Sequence, residues 1–192
     1  MYLILGLGNP GPRYDLTRHN MGFLVIDTLA EKHRIKLGQH QHQALSGRGE
    51  VEGCPVVVSK AMTYMNKSGV AAKALLRTLD IPPERMIVVH DEIDLPLGKI
   101  KKKFKGGNAG HGGIGSIIEK LGTGEFARFR IGVGRPEDGG GVVDYVLSPF
   151  TDEEIPQVNE ILEEAVGVIE DTLKELNEKS QQRRNNQNDK GI

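Results

Sequence analysis

The chain has 192 residues, 38% hydrophobic and 27% charged, with a net charge of −1, the balance of one ordinary globular domain; a uniformly basic nucleic-acid binder is excluded. Its single cysteine, Cys54, excludes internal disulfides and zinc sites built on cysteine pairs. No apolar run approaches the roughly 18 residues of a membrane span and the start MYLILGLGNPG has no basic leader, so the cytoplasm is the expected compartment.

Tyr2 to Leu7 is a continuous apolar run closed by Gly8, Pro10 and Gly11, which reads as a strand buried on both faces. From Gly22 to His33, Phe23, Ile26, Leu29 and Ala30 fall on one helical face. Val56 to Ser59 and Met86 to His90 read as β-branched strands, separated by a helix over about Ser68 to Leu79 with Ser68 as its N-cap. Lys99 to Lys105 is a candidate strand that runs into the glycine-rich GGNAGHGGIGS. A short helix follows, carrying Ile117, Ile118 and Leu121 and stopped by Gly122. Phe129 to Val133 and Val142 to Leu147 are the last candidate strands. Thr151 with Glu154 has capping-box spacing and opens a long helix with Val158, Ile161, Leu162, Ala165, Ile169, Leu173 and Leu176 on one face, although Pro156 makes its first turn irregular or shifts its start. Strands alternating with helices imply an α/β sandwich around a largely parallel, twisted sheet. Residues 180–192 are polar, without periodicity, and are expected to form a disordered tail.

Charge is segregated. Leu95 to Arg135 holds nine basic residues against Glu119 and Glu125, while Thr151 to Ser180 holds ten acidic residues against Lys174 and Lys179. The lysines suit either phosphate binding or a solvated edge strand.

GLGNPG satisfies the G-x-G-x-x-G pattern of a dinucleotide loop, but PRYDLTRHN follows where a helix should open, and Asp27 lies within a helical pattern. No G-x-S-x-G elbow is present and Cys54 has no neighbouring histidine, which leaves water as the nucleophile. Of six histidines, His33, His40 and His42 read as surface residues. His90, Asp91, Glu92, Asp94 and His111 lack metal-ligand spacing, so no metal is expected. His19 lies in the loop after the first strand, near Asn9, and Asp91 ends another strand. In a parallel sheet the two share one rim, and a histidine oriented by a carboxylate is a general base. Capping and turn roles for the same residues stay open at this level.

GLGNPGPRYDLTRHNMGF, TYMNKSG, HDEIDLPLG, GGNAGHGG and FRIGVGRP, in that order, resemble the motifs of the bacterial peptidyl-tRNA hydrolase family from Leu3 to about Leu176. The resemblance implies a monomeric esterase that removes peptides from tRNA without a cofactor. It also implies a single-domain three-layer sandwich with a mixed, largely parallel twisted sheet over residues 1–179. It places the general base on His19, its orienting carboxylate on Asp91 and an ester-positioning amide on Asn9. Tyr14, Tyr64 and Asn66 match contacts to the peptidyl-tRNA end, and Met65 matches a residue lining the peptide groove. Lys101, Lys103 and Arg130 match tRNA-binding positions, and Lys105 extends that basic run. Two departures stand out: Gly112 follows His111 where the family has asparagine, and Lys60-Ala61 stands where a proline is usual. Asn108 in the same loop is a candidate to compensate for the missing amide. A noncatalytic tRNA-binding protein on the same scaffold is the alternative.

Overall fold

The structure, a computed structural model, describes residues 1–136 and 139–188. Seven strands form one mixed sheet in the order β2-β3-β4-β1-β5-β7-β6. These are β1 (Tyr2–Gly6), β2 (Gln39–Gln41), β3 (Ala44–Val51), β4 (Cys54–Ala61), β5 (Met86–Glu92), β6 (Ile100–Lys103) and β7 (Ala127–Gly132). The central four, β4, β1, β5 and β7, are parallel, while β2–β3–β4 and β6–β7 are antiparallel. Parallel strands need crossover helices, which cover both faces of the sheet.

Side chains alternate along each strand, so the two faces build two cores. Ile4, Val58, Val89 and Phe129 pack with α1 (Met21–Lys32) and α5 (Ile155–Asn188). Leu3, Leu5, Val57 and Val88 pack with α2 (Ser68–Leu79) and α3 (Gly112–Leu121). Each of these buried aliphatic or aromatic side chains contributes about 1.5–3 kcal/mol, so the sheet's centre carries much of the stabilising burial.

Gly6 and Gly8 of GLGNPG serve close packing instead of phosphate binding. A Cβ at Gly6 would lie 2.4 Å from the Gly22 carbonyl oxygen, and one at Gly8 would lie 2.8 Å from the Phe23 ring. Gly22 in turn sits where a Cβ would meet the Val89 oxygen at 2.4 Å. The start of α1 thus lies directly on β1 and β5, which fixes the loop before it, the one that carries His19. Gly11 leads into a 3-10 turn at Pro12–Tyr14, and Asp27 pairs with Lys60 at 2.7 Å; neither suits a dinucleotide.

Four readings need correction. The segment from Val142 expected as a strand is a short helix, α4 (Val142–Val146), because neither sheet edge lies beside it, and Tyr145 instead donates to the Val133 carbonyl at 2.7 Å. The β2–β3 hairpin went unread because ALSGRGEV looks like a loop. Its Gly47 and Gly49 are there because Ile35 and the Lys36 carbonyl press against β3, where a Cβ would meet them at 2.5–2.6 Å. Ser68 is inside α2, with Lys67 at the N-cap position, and its hydroxyl donates to the Met65 carbonyl at 2.8 Å. The tail expected from residue 180 is helical as far as Asn188, since elongating an existing helix adds one hydrogen bond per residue without a new nucleus; residues 189–192 lie outside the described residues. Pro156 is accommodated in the first turn of α5, and Glu154 closes half of the capping box by accepting from the Thr151 N–H at 2.7 Å.

Candidate active site

The carboxyl ends of β1, β4 and β5 meet at one rim, and the loops that follow them bring Asn9, His19, Met65 and Asp91 together. Asp91 is 2% exposed. Both its carboxylate oxygens lie 2.9 Å from His19 Nδ1, and Oδ1 is also 2.9 Å from His111 Nε2. Burial alone would raise the Asp91 carboxyl, but the electrostatic and hydrogen-bond interaction with His111, together with the hydrogen bond from His19, hold it below the usual carboxylate range.

The partners settle the tautomers. Asp91, ionised, can only accept, so His19 Nδ1 carries a proton and Nε2 keeps its lone pair, to which no described residue donates. His111 is the N-cap of α3: its Nδ1 accepts from the N–H groups of Gly113 and Ile114 at 3.2 and 3.3 Å, which puts its proton on Nε2, facing Asp91. His111 thus belongs to this cluster, although sequence reading considered it only as a metal ligand. The signal was its place before a glycine-started helix, where a side-chain acceptor is needed.

His19 sits in a 3-10 turn, Arg18–Asn20, anchored on both sides. Arg18 is 5% exposed, pairs with Glu154 through both carboxylate oxygens (2.6 and 2.8 Å) and donates to Ser148 Oγ at 2.9 Å. Asn20 accepts from the Asn9 N–H at 2.8 Å and donates to the Asn9 carbonyl at 3.0 Å. Asn9 Oδ1 accepts from the Met65 N–H at 2.7 Å, which orients the amide and leaves Nδ2 as a donor with no acceptor among the described residues. Arg18 and Asn20 were missed because their partners are remote in sequence.

A cavity of about 230 Å3 opens over this cluster, lined by His19, Asp91, His111, Gly112 and the apolar Val142, Val143 and Val146 of α4. A Cβ at Gly112 would meet nothing within 4 Å, so the departure at this position enlarges the opening. The Asn108 side chain lies elsewhere, bordering a separate small pocket with His90, Arg128 and Arg130, while its carbonyl closes a turn to the His111 N–H at 2.9 Å. Tyr64 is 57% exposed, and Tyr14 carries Arg13 over its ring. Met65 is buried where a Cβ at Gly113 would touch its sulfur, whereas Asn66 is exposed and lines a neighbouring groove.

In the sheet register Lys101 pairs with Arg130 and Lys103 with Arg128, so these four side chains share one face of the β6–β7 edge. Lys102 turns to the other face, its ammonium 3.3 Å from Thr172. Arg130 pairs with Glu92 at 2.8 Å, and the buried Arg128 donates to the carbonyls of Gly106, Gly107 and Gly124, holding the glycine loop. Lys105 is set apart, beside Phe104 and Phe126.

His19 Nδ1, Asp91 and His111 Nε2 lie within 4.8 Å of one another, the grouping among the described residues that could hold a metal ion. Both nitrogens, however, already donate to the carboxylate, so a metal would have to displace two protons. Cys54 is buried at the far end of β4, its thiol 3.3 Å from the Leu173 carbonyl and pushed up by burial, and takes no part.

An α/β sandwich with a histidine–aspartate pair on its strand rim, an open cavity and no side-chain nucleophile in the cluster has the make-up of a hydrolytic enzyme that activates water. The comparisons with known proteins are specific. A profile of peptidyl-tRNA hydrolases matches residues 3–191, and the chain belongs to this family. It is similar to the peptidyl-tRNA hydrolase of Bacillus subtilis (48% identical over 173 residues, 90% of this chain and 92% of that protein) and to that of Bacillus anthracis (47%, covering 90% and 93%). The crystal structure of peptidyl-tRNA hydrolase from Acinetobacter baumannii superposes with a TM-score of 0.81 at 37% identity, covering 87% of this chain and 85% of that one. No helix among the described residues is long and apolar enough to cross a membrane.

Proposed function

We propose that the protein hydrolyses the ester joining a peptide, or an N-blocked amino acid, to the 3′-terminal ribose of tRNA. The observation that carries this is the 2.9 Å contact of His19 Nδ1 with Asp91, which commits one ring nitrogen and leaves Nε2 to act as a base beside the cavity. His19 Nε2 takes a proton from water as the oxygen attacks the ester carbonyl, and Asp91 stabilises the imidazolium that forms. Asn9 Nδ2, the amide nitrogen without an acceptor among the described residues, donates to the carbonyl oxygen as negative charge develops there. His19 then returns the proton to the ribose oxygen as the C–O bond breaks, releasing tRNA and the peptide acid. An ester's alkoxide leaves more readily than an amine, so no covalent intermediate is required.

Tyr14, Tyr64, Met65 and Asn66 border the path of the peptidyl-tRNA end, and Lys101, Lys103, Lys105 and Arg130 engage tRNA phosphates without reading sequence, which suits one enzyme to many tRNAs. The same reading takes the protein to act as a monomer, and the reaction belongs to the cytoplasm, where tRNA is charged and used. The mechanism needs no metal. Release of N-acetylated amino acid from tRNA tests the activity, and a short acyl-nucleotide ester tests the metal requirement without the effect of magnesium on tRNA folding. Release unaltered by exhaustive chelation is expected; activity lost to chelation and restored by zinc would refute the metal-free mechanism, and absence of release would favour a noncatalytic tRNA-binding role.

A further inference from the structure

The strand order gives the reaction centre two flanks. β1 and β5 carry it, β7 and β6 lie on one side with Lys101 and Lys103, and β4 with α2 lies on the other. The β4 flank has its own cations, which the tRNA assignment leaves unused. A groove of about 420 Å3 starts beside Asn66 and Lys67, at the turn whose Met65 N–H holds Asn9. It continues past Val70 and Lys120 into a second stretch of about 560 Å3 between α2 and α3, bordered by Lys73 and Arg77. Positions 70, 73 and 77 repeat at helical spacing, so one face of α2 lines the groove beyond the turn that carries Asn66. Lys67, Lys73 and Arg77 are exposed and have no ion-pair partner among the described residues. The carboxylate bordering the groove is Glu119, paired with Lys120 at 3.1 Å, and residues 61–79 contain no Asp or Glu.

An ester has an alcohol side and an acyl side. If the ribose and the tRNA phosphates occupy the β7–β6 flank, the acyl chain leaves across Met65 toward β4. We propose that the groove between α2 and α3 receives the peptide part of the substrate and favours chains with acidic side chains a few residues upstream of the ester. This rests on the reading of the protein as a peptidyl-tRNA hydrolase. From Lys67 to Arg77 the helix rises about 15 Å, the span of roughly four or five extended residues. The floor, Val70 and Ala74, is small and apolar, so it offers no pocket for a particular side chain and leaves charge as the selective feature.

Two N-acetylated peptidyl-tRNAs test this, with the same tRNA and the same esterified residue, one carrying Glu and the other Gln at the upstream positions. At low salt the Glu chain is expected to show a kcat/KM roughly three- to fivefold higher, the sum of a few exposed charge pairs, and high salt should erase the difference. In Lys73→Gln/Arg77→Gln the ratio should fall toward one, and in Lys73→Glu/Arg77→Glu it should invert. N-acetylaminoacyl-tRNA, which has no upstream chain, is the reference: its failure to react would strike at the hydrolase reading itself. A Glu-to-Gln ratio of one in the parent protein, with the reference cleaved, would overturn the groove alone. Equal weakening of all three substrates by the variants, together with weaker binding of deacylated tRNA, would make the groove a second tRNA surface and also overturn the proposal.

Discussion

The rim around Asp91 and the edge formed by β6 differ in how their polar groups are used. At the rim nearly every donor and acceptor is committed: Asp91 holds two histidines, Asn20 clamps the backbone of Asn9, and Arg18 fixes the turn between them. At the β6 edge Lys101 and Lys103 project without ion-pair partners among the described residues. Committed groups have fixed geometry, which chemistry requires, whereas free cations adapt to a polyanion whose phosphates vary in position. Substitutions at the rim should therefore change kcat, and substitutions at the edge should change KM and its salt dependence.

After loss of the general base itself, the largest effect that sharpens this contrast is expected from Asp91→Asn. It leaves a group of the same size but presents an amide to two N–H donors, so kcat should fall about 10²–10³-fold with little change in KM. Because the native carboxyl titrates below the usual range, its stabilising interactions are present above the ordinary carboxylate pKa and are lost only as the pH falls through that depressed value. The acid limb of kcat in the parent protein should therefore not report Asp91, and a variant altered in KM alone would break the contrast.

A smaller effect should follow from neutralising the edge. Lys101→Gln/Lys103→Gln is expected to raise KM for tRNA substrates about tenfold at low salt and to lower the slope of log KM against log salt by about one for each phosphate no longer neutralised. Lys105→Gln, away from that face, should do less. A short acyl-nucleotide substrate, measured alongside, should be spared; equal damage to it would mean that the lysines support the fold.

His111→Ala should show its structural share as a lower melting temperature. Removing the N-cap of α3 costs about 0.5–2 kcal/mol, seen by thermal denaturation, and the loss should exceed that from an exposed histidine such as His42→Ala.

The subtlest effect belongs to His90. It is 3% exposed, donates from Nδ1 to the Asp91 carbonyl at 2.7 Å, and has no described partner at Nε2. Burial first, then the neighbouring His111, pushes its pKa down to about 3. The unfolded chain therefore binds a proton between about pH 6.5 and 3 that the folded chain refuses, and stability falls as the pH falls through that window. His90→Asn, which keeps a donor, should flatten the loss of melting temperature between pH 6.5 and 5. An unchanged slope would show that His90 does not titrate on unfolding.

The alternation of strands and helices was legible in the sequence because buried parallel strands leave unbroken apolar runs, as from Tyr2 to Leu7 and from Met86 to His90. The β2–β3 hairpin was not, since its glycines answer to Ile35 and not to any pattern within the strand. Val142 and Val143 misled for the opposite reason: β-branched residues suit a strand only where an edge offers pairing. At the site, His19, Asn9 and Asp91 could be placed on one rim from topology alone. His111 carried only the signal of its place before the helix it caps, and Arg18 and Asn20 carried no pattern that marks their pairing with Glu154 and with the backbone of Asn9.

The separation of chemistry from affinity is tested most directly by His19→Ala, with single-turnover release of N-acetylated amino acid from tRNA at saturating enzyme and binding of deacylated tRNA measured on the same preparation. The release rate is expected to fall about 10²–10⁴-fold with tRNA affinity retained. Release near the parent rate, or a loss of turnover explained entirely by weaker tRNA binding, would contradict the role assigned to His19.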